Sequence, residues 1–407
     1  MPDARKHELN LVLKLASGHV SEHLTAPTSV RPAGGAGYKL KCLRCSWRDQ
    51  PSLRMRCPLC QGALESELDL CGATVRDCQD PLLAYLDLLP LDLADLPAAG
   101  VVVRTPCRPA PELGAALGVP NLWIKDEGAQ PTGSTKDRLA AVVVATFKHF
   151  GVTEFASSST GNTATALARA VRLDGTMRAH FFCGADFETM HDFEVDDVVI
   201  LTVIDGSYAE ASRVGQTFAR ENGLQWEGGY FNWARREGLK LAYLEAFDAM
   251  EATPDVVVQA ISSGMGMAAA HKAAREYLQL GRVTHIPRML MAQQDTCAPM
   301  ATAWRAGRSE IGAQDVVARP SGLATALLLG DGSDSYPYLA EIATNTGGAI
   351  VATDQADLVR ARADIWELGR LDACYSAAVA VAALRDEAAA GHISDELVLV
   401  NLTGRSR

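Results

Sequence analysis

The sequence predicts an α/β protein whose parallel-rich sheets are covered by helices on both faces, with a zinc ribbon ahead of them. Two observations carry this. From Val101 onward short apolar runs alternate with amphipathic or alanine-rich stretches, the pattern of buried strands joined by crossover helices. Before them stands CxxC-x11-CxxC, at Cys42, Cys45, Cys57 and Cys60, a spacing that lets two knuckles of backbone present four thiolates to one tetrahedral ion. The 407 residues suffice for two or three domains at roughly 150 residues each. With 48% hydrophobic and 21% charged residues the chain is not dominated by disorder.

In chain order, residues 1–38 form an N-terminal extension, with a short helix expected around Leu9, Val12, Leu13 and Leu15 and a loop from Thr25 to Gly37. Residues 39–66 are the ribbon. Its four cysteines leave no open coordination position, so the Zn²⁺ is expected to be structural. Residues 67–100, rich in Leu, Asp and Pro, read as a connector. From 101 to 407 the expected strands are 122–124, 155–157, 179–183, 198–203, 256–260, 289–292, 349–353 and 397–402, with helices at 136–150, 163–173, 210–222, 238–250 and 267–279. In such folds ligands gather at the carboxyl ends of the strands.

The net charge of −11, without a long basic run, argues against nucleic acid or an anionic membrane as partner. No apolar run reaches the roughly 18 residues of a membrane span. Met1 to Ala16 mixes charges with Leu and Val, unlike a signal peptide. The expectation is a cytoplasmic enzyme whose ten cysteines are thiols or metal ligands.

Four segments carry candidate chemistry. Lys125 to Arg138 runs from a strand through a Pro/Gly turn to Lys136, at the mouth of a helix capped by Ser134. The helix field there lowers an ammonium's pKa and favours an imine-forming amine, although a surface lysine would look the same. Ser157 to Ala164 follows a strand and opens a helix, a nest suited to a carboxylate. In Ser262 to Met267 the glycines let backbone N–H groups approach phosphate oxygens. Arg235 and Arg236 precede a helix, and a guanidinium fork suits a phosphate or sulfonate. Thr403 ends a strand. His180, His271 and His285 lack metal spacing, and Cys183, Cys297 and Cys374 read as small buried apolar groups.

Lys-Asp-Glu-x-x-x-Pro-Thr-Gly-Ser-x-Lys-Asp-Arg at 125–138 resembles the cofactor-lysine segment of threonine synthases, members of the fold-type II pyridoxal-phosphate (PLP) enzymes. The likeness covers most of the chain after Val101 and includes the zinc knuckles found in one branch of that family. Asn232 to Gly238, and Pro299 to Arg308 with its Ala303-Trp304 pair, are more similar to cysteate synthases, which replace the phosphate of phosphoserine with sulfite. The resemblance implies two interleaved three-layer α/β/α sub-domains within 101–407 and a homodimer. It implies that Lys136 carries the Schiff base, and that Ser159, Thr160, Gly161, Asn162 and Thr163 grip the substrate carboxylate, with Asn162 also on the cofactor's 3′-oxygen. It further assigns Ser263, Gly264, Met265, Gly266 and Met267 to the cofactor phosphate, Thr403 to the pyridine nitrogen, and Arg235, with Asn232 and Arg236 beside it, to the substrate phosphate.

A neutral hydroxyl at the ring nitrogen moderates electron withdrawal and favours elimination and replacement over transamination. The sequence departs from the family at Met265 and Met267, at Ala373-Cys374 where Glu-Pro is usual, and at Arg405 where glycine normally follows. Two reactions are implied: replacement on O-phosphoserine by a nucleophile such as sulfite, or water addition to O-phosphohomoserine giving threonine. A catalytically silent paralogue that binds a partner is the rival from another class.

Overall fold

The computed structural model describes residues 37–97 and 100–406; the helix expected around Leu9 to Leu15 lies outside them. Strand β1 (Tyr38–Cys42) pairs antiparallel with β2 (Arg48–Asp49) on one side and β3 (Leu64–Leu68) on the other. In β3 the buried residues are Leu64, Glu65 and Ser66, and two polar side chains are buried there because their partners lie in the helices behind. Ser66 Oγ donates to Glu237 at 2.7 Å, Lys272 Nζ donates to the Ser66 carbonyl at 2.6 Å, and Arg275 donates to both Glu65 oxygens at 3.0 and 2.8 Å. The ribbon is thus bolted to the rest of the molecule by charge-assisted hydrogen bonds as well as by packing.

The 67–100 stretch is more than a tether. Leu82, Leu86, Leu88, Leu89 and Leu91 are buried in the main hydrophobic core, and Asp80 caps the short helix Pro81–Ala84 by accepting from the Leu82 and Leu83 N–H groups.

Strands β4 (Cys107–Pro109) and β5 (Leu122–Asp126) begin a six-stranded sheet. The chain then leaves it to build an all-parallel four-stranded sheet from β6 (Glu154–Ser158), β7 (Arg178–Gly184), β8 (Val199–Ile204) and β9 (Gln225–Trp226), ordered β8-β7-β6-β9. It returns with β10 (Val256–Ala260), β11 (Arg288–Gln294), β12 (Ala349–Thr353) and β13 (Val398–Leu402). The large sheet has the order β12-β11-β10-β13-β5-β4 and is parallel except for β4. All eight expected strands are present within a residue or two of their expected ends. The helix expected from Gly238 begins at Trp233, because Asn232 caps it by accepting from the Ala234 N–H.

That helix, Trp233–Ala249, is buried from residue 233 to residue 247 and packs against helices Lys136–His149 and Met265–Gln279. Gly238 permits the first crossing: a Cβ there would stand 2.2 Å from the Arg138 carbonyl oxygen. The carboxyl ends of β6, β9, β10 and β13 converge on one cavity. No helix among the described residues is long and apolar enough to cross a membrane.

Candidate active site

The cavity, about 500 Å³, lies within the usual size for a cofactor and small-substrate cleft. Lys136 is on its wall, in the first turn of helix Lys136–His149. The residue before the helix is Thr135, not Ser134, although the Lys136 N–H does reach Ser134 Oγ at 3.4 Å. The amine is lowered to about 8, first by burial and then by the Arg235 guanidinium. Charge repulsion from a neighbour therefore joins desolvation as the activating influence.

The charged neighbours of Lys136 in the sequence motif have a different task. Arg138, fully buried, donates to Glu127 and Glu245, while Lys125 Nζ donates to Glu245 at 2.6 Å and to the Thr105 carbonyl at 2.7 Å. Two cations and two carboxylates thus close a buried, mutually compensating network that ties the end of β5, the start of the lysine helix and helix Trp233–Ala249 together. Asp137 accepts from the Thr132 N–H at 2.7 Å and fixes the turn.

Ser157 to Ser159, Thr160, Asn162 and Thr163 line the cavity. Ser159 Oγ accepts from the Gly161 and Ala164 N–H groups at 3.1 and 3.2 Å, holding the turn that opens helix Asn162–Asp174. Gly161 is not on the wall. Ser262, Ser263, Gly264, Met265 and Gly266 also line the cavity, whereas Met267 is fully buried in the hydrophobic core. Helix Met265–Gln279 has no side-chain cap, so its first N–H groups are available to an anion. Gly264 adopts φ +74°, and a Cβ there would meet Leu339 at 2.1 Å. Thr403 and Gly404 reach the wall beside Lys136: the Thr135 N–H donates to the Thr403 carbonyl at 2.9 Å and the Arg405 N–H to the Gly133 carbonyl at 3.0 Å. Arg405, in the place of the usual glycine, packs its side chain against Gly133.

Arg235 and Arg236 part company. Arg235 lines the cavity and forms a two-pronged pair with Glu227, whose carboxylate also accepts from Asn232 Nδ2 at 3.0 Å. Asn232 is a cap and a positioner behind that pair rather than part of the wall. Arg236 points away, donating to the Tyr230 carbonyl at 2.8 Å and to the Leu64 carbonyl in the ribbon. Consecutive helical residues face directions about 100° apart, and the geometry gives Arg236 to ribbon attachment. Sequence reasoning missed Glu227, Gln259, Met55 and Arg56, all on the wall; they follow no local motif, although Glu227 does precede a Gly-Gly turn. Cys374, read as apolar filling, also lines the cavity, with its thiol pushed up by burial. Cys183 and Cys297 are buried as expected.

In the ribbon, Sγ atoms of Cys42 and Cys60 are 3.4 Å apart, those of Cys45 and Cys57 3.6 Å, and those of Cys45 and Cys60 3.7 Å. A tetrahedron of thiolates about 2.3 Å from zinc has edges of about 3.8 Å, so the four atoms suit such an ion. A second cluster that could hold a metal, Asp92, Asp95 and His149, sits at the C-terminal end of helix Lys136–His149, with His149 Nδ1 2.7 Å from Asp95 Oδ2.

Comparison with known proteins adds the following. The profile of the family described as "Pyridoxal-phosphate dependent enzyme" matches residues 99–404. A cysteate synthase of Methanospirillum hungatei JF-1 is 28% identical over 398 residues, 90% of each chain. A threonine synthase of Methanosarcina acetivorans is 26% identical over 383 residues, covering 90% of this chain and 91% of that protein. Among solved structures, processed threonine deaminase isoform 2 from Solanum lycopersicum superposes with a TM-score of 0.63 at 17% identity, over 76% of this chain and 85% of that one. Maize serine racemase gives 0.63 at 20% identity, over 75% and 89%. The last two establish likeness of fold.

Proposed function

The chain belongs to the pyridoxal-phosphate dependent enzymes, and we propose that it catalyses replacement on a phosphorylated amino acid: O-phosphoserine takes up a nucleophile such as sulfite and releases phosphate. The observation that carries this reading is one cavity collecting a lysine amine at about 8, two helix N-termini and Arg235.

The residues fit the cofactor. The uncapped glycine turn Ser263 to Gly266 would hold its phosphate, Thr403 its ring nitrogen, Asn162 its 3′-oxygen and Lys136 its aldehyde carbon. Pyridoxal phosphate, when bound, supplies an electron sink that acidifies the α-carbon of an attached amino acid. Lys136 Nζ in its neutral form would take the α-proton. Ser159, Thr160 and Thr163 grip the carboxylate and Arg235 attracts the leaving phosphate, with Glu227 and Asn232 fixing its orientation. Cys42, Cys45, Cys57 and Cys60 hold a structural Zn²⁺. A homodimer in the cytoplasm completes the reading, by family likeness.

The second reading, water addition to O-phosphohomoserine, is favoured by Thr403, by the Lys-Asp-Arg motif and by the threonine synthase relative. Purified protein exposed to phosphoserine and phosphohomoserine, with phosphate release followed with and without sulfite, separates the two. Release from phosphoserine that leads to cysteate only with sulfite supports the first; release from phosphohomoserine alone supports the second. A cofactor spectrum that neither substrate perturbs would overturn the substrate class; absence of any lysine-bound cofactor absorbance, with none to lose in Lys136→Ala, would mark the silent paralogue.

A further inference from the structure

We propose that Arg56, carried by the ribbon, contacts the oxyanion at the far end of the amino-acid substrate, so that the ribbon is part of substrate recognition as well as of the fold. This rests on the phosphorylated-substrate reading above.

Among the described residues two arginines line the cavity, Arg56 and Arg235. Arg235 gives one edge of its fork to the buried Glu227, so much of its charge is already matched. Arg56 is less committed. Its Nη1 donates to the Gln61 carbonyl at 3.3 Å, and its Nη2 is 3.9 Å from Asp334 Oδ2, beyond hydrogen-bond distance, with that carboxylate 66% exposed. Such a pair is weak in water, and a dianionic phosphate entering the cavity would compete well for the same donors.

The side chain is nevertheless held in place. Its guanidinium lies 3.2 Å from the Phe231 ring centroid, a cation–π contact that fixes the plane of the fork. The Arg56 backbone bridges to Ala63. The next residue is Cys57, one of the four clustered thiols, so a metal there would anchor Arg56 from behind. Met55 reaches the same wall: a Cβ on Gly228 would lie 2.9 Å from its sulfur. The tip of the ribbon therefore closes the side of the cavity formed by the turn from Gly228 to Phe231.

The test uses the holoenzyme, following the cofactor absorbance on titration with O-phosphoserine and, separately, L-serine, for wild type, R56Q and R56K, with metal content measured on each sample. R56Q should weaken phosphoserine binding about tenfold, the range expected for one charged hydrogen-bond partner, and leave serine binding unchanged. R56K should recover part of the loss, since an ammonium keeps the charge but not the fork. Stripping the metal should weaken phosphoserine binding in the wild type and add little in R56Q. If the wild type prefers phosphoserine and R56Q keeps that preference, the role of Arg56 is overturned while the substrate reading stands. If the wild type has no preference for the phosphorylated compound, the substrate reading falls and takes the proposal with it.

Discussion

At neutral pH an ordinary lysine with a pKa near 10.4 is neutral in about one molecule in 2500, and one at about 8 in about one in ten. The difference is the reason a buried lysine serves as nucleophile and base. With the cofactor stripped, borohydride-trapped coupling of Lys136 to pyridoxal phosphate should rise with pH around a midpoint near 8. In R235M the midpoint should move upward, because the repelling guanidinium is gone; peptide mapping across pH measures both. The sign for stability follows from the same shift. The folded pKa lies below the unfolded one, so the unfolded chain binds the extra proton between about 8 and 10.5. The cost of burying the amine is in force below pH 8 and is relieved as pH rises through that window. Lys136 stood out through the resemblance of the whole 125–138 segment, since strand, turn and helix alone suit a surface lysine equally well. Glu227 did not: its meaning comes from Arg235, which only the folded turn between β9 and the next helix brings against it.

At the scale of elements, the motif around Lys136 does two jobs that sequence alone blends into one. Lys136 serves the cavity, while Lys125, Glu127 and Arg138 lock β5 and the lysine helix to Glu245. Glu245→Gln should cost about 3–5 kcal/mol of stability by leaving a buried cation uncompensated, read as a lower midpoint in urea unfolding with little change of slope. Gly264→Ala should fold but bind pyridoxal phosphate at least tenfold more weakly, since it forces an L-residue into φ +74° and crowds Leu339; equilibrium dialysis measures it. The strands were readable as apolar runs flanked by turn residues. Helix Tyr375–Ala389 was not anticipated: residues 376 to 384 are all buried, and a helix apolar on every side shows no 3.6-residue period. Strand β9, two residues long, is too short for any pattern.

For the whole molecule, the ribbon and the catalytic body share one hydrophobic core and one set of buried ions. Glu65 is held well below the usual carboxylate range by Lys272, Arg275 and Lys41 in spite of its burial, and the first two come from helix Met265–Gln279. If Cys42, Cys45, Cys57 and Cys60 hold the proposed Zn²⁺, chelating it should lower the melting temperature of the entire chain in a single transition; a separate early transition for the ribbon would contradict this. The four-cysteine spacing was plain in the sequence, but the attachment was not, because it depends on residues some two hundred positions away, such as Ser66 with Lys272. The order of the large sheet has its own consequence for synthesis on the ribosome. β13 lies between β10 and β5, so the centre of that sheet is the last part to be translated. The four-stranded sheet can assemble while the chain is still emerging, whereas β5 and β10 wait with unpaired edges until Val398–Leu402 has cleared the exit tunnel.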